Sequence, residues 1–216
     1  MDNKNRIRRQ IFSSNYYNQY HLRYFLQLEK ELETISNYVE FDKKNFKTFS
    51  LEILKLYQTV CSQIDAIAKV IAFLLDDSFD YNGRNIGINK WWFKIQNEYL
   101  LNDSRRNLQN FEILFNDDIV FTPFKKFKYE LTEKDHLKLM PNMKTPRWWI
   151  HYNKVKHGRP FFTSDSNKTN FTFANLENLL NSFSALFILT FLYEDKIKYD
   201  TNLSITLKSK FFKIIE

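Results

Sequence analysis

The chain has 216 residues, 22 Phe and 12 Tyr, which is too aromatic for a disordered protein and long enough to bury one sizeable core. Only three Gly and four Pro leave few of the turns a β-sandwich needs, and Cys61, the sole cysteine, excludes an intrachain disulfide and a Cys-rich zinc site. The net charge of +7 favours an anionic partner.

These totals predict a mainly α protein: one antiparallel helical-bundle domain over residues 1–216 with a small two-stranded β element. The run Met1 to Gln10 lacks the apolar stretch of a signal peptide, and no segment is read as approaching membrane-spanning length. The expectation is a cytoplasmic protein with no membrane partner. Arg6, Arg8 and Arg9 are expected to form a loose basic arm.

Helical spacing begins at about Asn15 and runs to Val39, with Tyr17, Tyr24, Leu28, Leu32 and Ile35 on one face. From about Phe46 to Leu75 the period holds for about eight turns through Ile53, Leu56, Val60, Ile64, Ile67 and Ile71, which predicts the central helix. Asp65 sits at the edge of that apolar stripe. Either it lies at the solvent boundary or it takes a partner from His157, Lys156 or Arg147. Turn residues over 76–88 precede a helix carrying Trp91, Trp92 and Ile95, and another helix is expected over 104–115.

Around Tyr129 the period changes to two, and Ile205 and Leu207 also alternate with polar neighbours, so these two stretches are expected to pair as strands. A helical turn is expected over 132–140, ended by Pro141. A long apolar helix is predicted from about Phe171 to Tyr193.

Between these elements lies the stretch that carries chemistry, Thr145 to Arg159. Thr145 reads as an N-cap, Pro146 as the first helical residue, Gly158 as a left-handed stop, and Pro160 forbids continuation. Trp149, Asn153, Lys156 and His157 fall on one stripe of this helix. The helix dipole favours the protonated form of His157, while Lys156 and Arg159 oppose it.

From Phe121 to Arg159 there are ten cations against three acids, so this stretch carries the whole net charge. Cations interleaved with Phe124, Phe127 and Tyr129 suit phosphate contact and base stacking. Lys125, Lys126, Lys128, Arg147 and Lys154 are the expected nucleic-acid contacts. His21, His136, His151 and His157 show no paired-ligand spacing, and His151 lies on a different helical face from His157, so neither a metal nor a cofactor is expected.

A bundle whose penultimate helix carries Tyr152-Asn153-Lys154-Val155-Lys156-His157, followed by a loop and a long apolar helix, resembles the HEPN superfamily over about fifty residues. Many bacterial members are RNases of toxin–antitoxin or phage-defence systems, with an Arg and a polar residue a few positions before a His. Here Asn153 takes the polar position and Tyr152 stands where the Arg would be. The resemblance implies a metal-independent endoribonuclease in which His157 is the acid/base, Lys156 or Arg159 the charge stabiliser, Asn153 an orienting group and Arg147 a phosphate contact. It also implies RNA as partner, a homodimer, and an antitoxin or other regulatory protein. Tyr152 in the Arg position favours the alternative, a non-catalytic HEPN-like module that binds RNA or a protein.

Overall fold

The structure, a computed structural model, describes residues 3–76, 78–80, 87–102, 108–126, 129–131, 137–139, 145–164, 167–201 and 206–215. In chain order the helices are α1 (Asn3–Ile11), α2 (Ser14–Tyr17), α3 (Arg23–Ser36), α4 (Leu51–Leu75), α5 (Ile88–Asn102), α6 (Arg147–Gly158) and α7 (Leu176–Thr201). The protein is mainly α with a small antiparallel sheet.

The core is built on α4 against α7. On α4, Ile53, Tyr57, Val60, Ile64, Ile67, Ala68 and Ile71 lose all solvent contact, and Ser50 caps the helix by accepting from the Ile53 amide at 3.1 Å. The helix starts at Leu51 rather than near Phe46. The α7 helix is enclosed almost all round, so its buried hydroxyls turn back on their own helix. Ser182, Ser184 and Thr190 donate to the carbonyls of Leu179, Leu180 and Leu186 at 2.8–2.9 Å. Truncating a side chain such as Ile64 or Leu186 in this core costs about 2–5 kcal/mol.

Contrary to the sequence expectation, α4 and the stretch Leu176–Lys198 are each long and apolar enough to cross a membrane by length and composition. Of the most apolar 18-residue window of each, 50% is buried inside the molecule in α4 and 83% in the α7 stretch.

A π-helical turn, Asn18–Leu22, joins α2 to α3 and carries the buried His21. The expected basic arm is instead part of α1, where Arg8 donates to the Leu74 carbonyl at 3.1 Å and its guanidinium lies over the Phe12 ring. Behind α4, Trp91, Trp92 and Ile95 of α5 are fully buried.

Strands β1 (Glu112–Phe115), β2 (Ile119–Phe121) and β5 (Phe212–Ile215) form an antiparallel sheet with β1 in the middle. The helix expected over 104–115 is therefore corrected. Residues 103–107 lie outside the described residues, Leu108–Asn110 is a 3₁₀ turn, and the rest is strand. Ile113 and Phe115 alternate into the core, and Asn116 and Asp117, both at positive φ, reverse the chain into β2.

A separate hairpin pairs β3 (Tyr129–Leu131) with β4 (Leu137–Leu139), Tyr129 opposite Leu139. Tyr129 thus finds its partner ten residues on, not near Leu207, and of the helical turn expected over 132–140 residues 137–139 are strand while 132–136 and 140 lie outside the described residues; closing a short loop costs less entropy than closing a long one.

The C-terminal segment is tied down by a buried acid. Glu29 of α3 accepts from the Ser209 hydroxyl and from the Lys210 amide at 3.1 Å. Phe212 of β5 then stacks on Phe183 and Phe187 of α7, centroids 5.2 and 5.8 Å away.

Candidate functional site

The α6 helix is held by its aromatic side. Trp148, Trp149, Tyr152 and Val155 are buried; the Trp148 indole donates to the Pro123 carbonyl at 2.9 Å, and the Tyr57 hydroxyl donates to the Trp148 carbonyl. Burial pushes the Tyr152 hydroxyl up to about 12.

Both ends of α6 differ from their sequence reading. Pro146, not Thr145, occupies the cap position with no side-chain bond, its carbonyl accepting from the Trp149 and Ile150 amides at 3.0 and 3.1 Å. Gly158 is not left-handed: it remains helical, and Arg159 after it is right-handed too. What requires glycine is closeness. A Cβ there would lie 2.9 Å from the Phe161 ring and 3.4 Å from the Asn170 amide nitrogen, which donates to the Gly158 carbonyl at 2.8 Å.

The expected catalytic set lies on an open surface. His157 is exposed, and its ring nitrogens have no partner among the described residues. Asn153 is half-buried and donates to the Trp149 carbonyl at 3.2 Å, while Trp149 itself is turned into the core. The Lys156 ammonium rests over the Tyr152 ring at 5.5 Å, and Arg159 reaches Gln58 at 3.4 Å. Asp65 takes none of its three expected partners. It accepts from Lys69 of its own helix at 2.5 Å and from the Trp91 indole at 3.3 Å.

Another face of α6 borders a cleft of about 620 Å³. Its walls come from five parts of the chain: the approach to α4, the turn after β2, the start of α6, the segment from Lys168 to Phe173, and the start of α7. These are fastened to one another. The Leu176 and Glu177 amides donate to the Thr48 and Phe46 carbonyls at 2.9 and 3.1 Å, and Asn175 caps α7 by accepting from the Asn178 amide at 3.1 Å. Lys47, Lys125, Lys126, Arg147 and Lys168 border the cleft, with Glu177 the one acid among the described residues, paired to Lys47 at 2.6 Å.

Three of the five expected nucleic-acid contacts, Lys125, Lys126 and Arg147, therefore converge. Lys154 stays on the rim with its ammonium 5.1 Å over the Phe173 ring, and Lys128 lies outside the described residues.

The sequence reading missed the imidazole in this cleft. His151 stacks on Phe173, centroids 4.0 Å apart at 12°, and its Nδ1 lies 2.9 Å from the Asn178 amide nitrogen. That nitrogen also donates to the Phe173 carbonyl at 2.8 Å, so it is the donor to Nδ1 as well, which leaves the proton of neutral His151 on Nε2. Burial lowers the His151 pKa below its ordinary value, and Arg147 and Lys154 push the same way. Arg147, His151 and Lys154 at i, i+4 and i+7 were the legible signal.

Among known proteins, no family model, curated protein or solved structure matches this chain.

Proposed function

We propose that the chain acts on RNA as a metal-independent endoribonuclease of the HEPN type, with His157 moving the proton. The observation that carries this reading is the state of His157: exposed, without a partner among the described residues, and on the outward side of α6 with Asn153. The RNA 2′-hydroxyl attacks the adjacent phosphorus as the bond to the 5′-oxygen breaks, leaving a cyclic phosphate and a 5′-hydroxyl. Charge builds on the phosphoryl oxygens, and Lys156 and Arg159 are the cations beside them. Swinging Lys156 off the Tyr152 ring costs about 0.5–1 kcal/mol, so its present contact does not commit it.

An open surface excludes water only when a second body covers it. In this reading a second copy supplies that body, giving a homodimer, and an antitoxin-like regulatory protein would act by covering the same face.

A second reading, an RNA-binding module without chemistry, is favoured by one observation. Lys125, Lys126 and Arg147 gather beside His151, which is six residues from His157, about 9 Å along the helix axis and about 120° around it. The binding groups and the proton carrier thus occupy different faces.

Incubating wild type and His157→Ala with total RNA in EDTA, and reading product ends, separates the two. Cyclic phosphate ends that diminish in the mutant support the nuclease. RNA binding that weakens steeply with salt, with no cleavage by folded wild type, supports the module.

A further inference from the structure

The cleft beside α6 has more definition than a basic patch. Its cations arrive from separate segments, Lys125 and Lys126 from the turn after β2 and Arg147 from the first turn of α6, and all three are exposed to the same 620 Å³ space. Pro146 and Trp148 border that space too, so the positive end of the α6 dipole adds to the cations. The imidazole of His151, beside these cations, is held on two sides. Asn178 holds His151 at Nδ1, Phe173 supports the ring from below, and Nε2–H has no partner among the described residues. The α7 start that carries Asn178 is itself capped by Asn175.

We propose that this cleft is a phosphoryl-binding site, in which Arg147 pairs with the phosphate oxygens, the Nε2–H of His151 donates a hydrogen bond to one of them, and Lys125 and Lys126 neutralise the remaining charge. The ligand class is a phosphate on a nucleoside: a free nucleotide or a phosphate of an RNA strand. A guanidinium recognises phosphate oxygens in pairs, while a fixed imidazole donor adds direction that lysines lack. Phe49, exposed on the cleft wall and packed edge-to-face with Phe171, is an aromatic surface within reach of the attached base. This inference rests on the RNA-binding reading for the strand form of the ligand, and it is independent of chemistry at His157.

The test is titration of the full chain with adenosine 5′-monophosphate and with adenosine, followed by intrinsic fluorescence, since Trp148 borders the cleft. The same chain is titrated with one RNA oligomer in 5′-phosphorylated and 5′-hydroxyl forms. The variants are Arg147→Ala, His151→Ala and His151→Gln, each checked for an unchanged thermal melt. The expected result is saturable binding of the monophosphate and not of adenosine, weakened about tenfold to a hundredfold by Arg147→Ala. His151→Ala weakens it as well, and His151→Gln, which keeps an N–H donor, restores most of the loss.

Preference for the 5′-phosphorylated oligomer identifies a terminal phosphate as the strand ligand. Equal binding of both oligomers, still weakened by Arg147→Ala and His151→Ala, identifies an internal one. Adenosine binding as well as its monophosphate, or folded Arg147→Ala and His151→Ala titrating like wild type with every probe, overturns the proposal. RNA binding that survives that result leaves the RNA-binding reading standing, so the two fail separately.

Discussion

The two histidines of α6 sit on one helix and are built in opposite ways. His151 is half-buried, stacked on Phe173 and fixed by Asn178, whereas His157 is exposed and has no protein partner among the described residues. A fixed imidazole loses little entropy when it meets a ligand, and a free one must be ordered by whatever covers it. Position within the fold, more than residue type, thus separates a group prepared for binding from one that waits for a second surface.

The largest effect expected on this contrast is at His157. Its replacement by Ala lowers RNA cleavage by about 10²–10⁴-fold in EDTA, the loss of a general acid/base. Equal cleavage by wild type and mutant removes His157 from the chemistry and collapses the comparison to a single functional face.

His21 extends the series to full enclosure. It is 5% exposed, its Nε2 has no partner among the described residues, and burial lowers its pKa to about 4 from an ordinary value near 6.5. Above pH 6.5 it is neutral in both the folded and unfolded states. As pH falls from 6.5 toward 4, only the unfolded chain takes the proton, so stability drops by something on the order of 3 kcal/mol and then levels off. Denaturant midpoints measured across that range should fall for wild type and stay flatter for His21→Leu. Parallel curves for the two proteins would mean that His21 is not sealed.

Next in size is Asn178→Ala. It removes the donors to His151 and Phe173 and leaves a part-buried carbonyl short of a partner, costing about 1–3 kcal/mol in a melt. If His151 is prepared by Asn178, nucleotide affinity falls by more than the stability loss alone accounts for at a temperature where the variant is folded.

The smallest effect sharpens the assignment of the cleft. Lys125→Ala and Lys126→Ala each lower the slope of log affinity against log salt by about one for RNA binding, with little change in melting. A slope unmoved by either change places the RNA elsewhere.

Much of the scaffold could be read from the sequence, because α4 and α7 repeat their apolar residues over many turns and periodicity averages out local noise. Of the strands only β3 could, from the alternation around Tyr129, and its partner was misplaced. Three- and four-residue runs such as Glu112–Phe115 contain too few residues to separate a period of two from one of 3.6, and their pairing is decided by contacts far along the chain, as between Phe115 and Phe212. The α6 helix was legible, but its ends were misread for a related reason. The use of Gly158 lies in Phe161 and Asn170, which meet it only in three dimensions.

The site divides in the same manner. Arg147, Lys125 and Lys126 were found because their charges cluster along the chain. Lys47 and Lys168 were not, since folding brings them to the cleft from remote segments. His151 was weighed only as a metal ligand, and its value depends on Asn178, twenty-seven residues later.

The tie between Glu29 and the segment leading into β5 also has a consequence during synthesis. Ser209 and Lys210 satisfy that buried carboxylate, and Phe212 completes the stack over Phe183 and Phe187. Until those residues leave the ribosome, β1 lacks one of its two neighbours and α7 presents uncovered rings. From the synthesis of β1 until that of β5 the sheet is therefore half-finished, which predicts that truncation before Phe212 yields aggregates rather than a smaller folded protein.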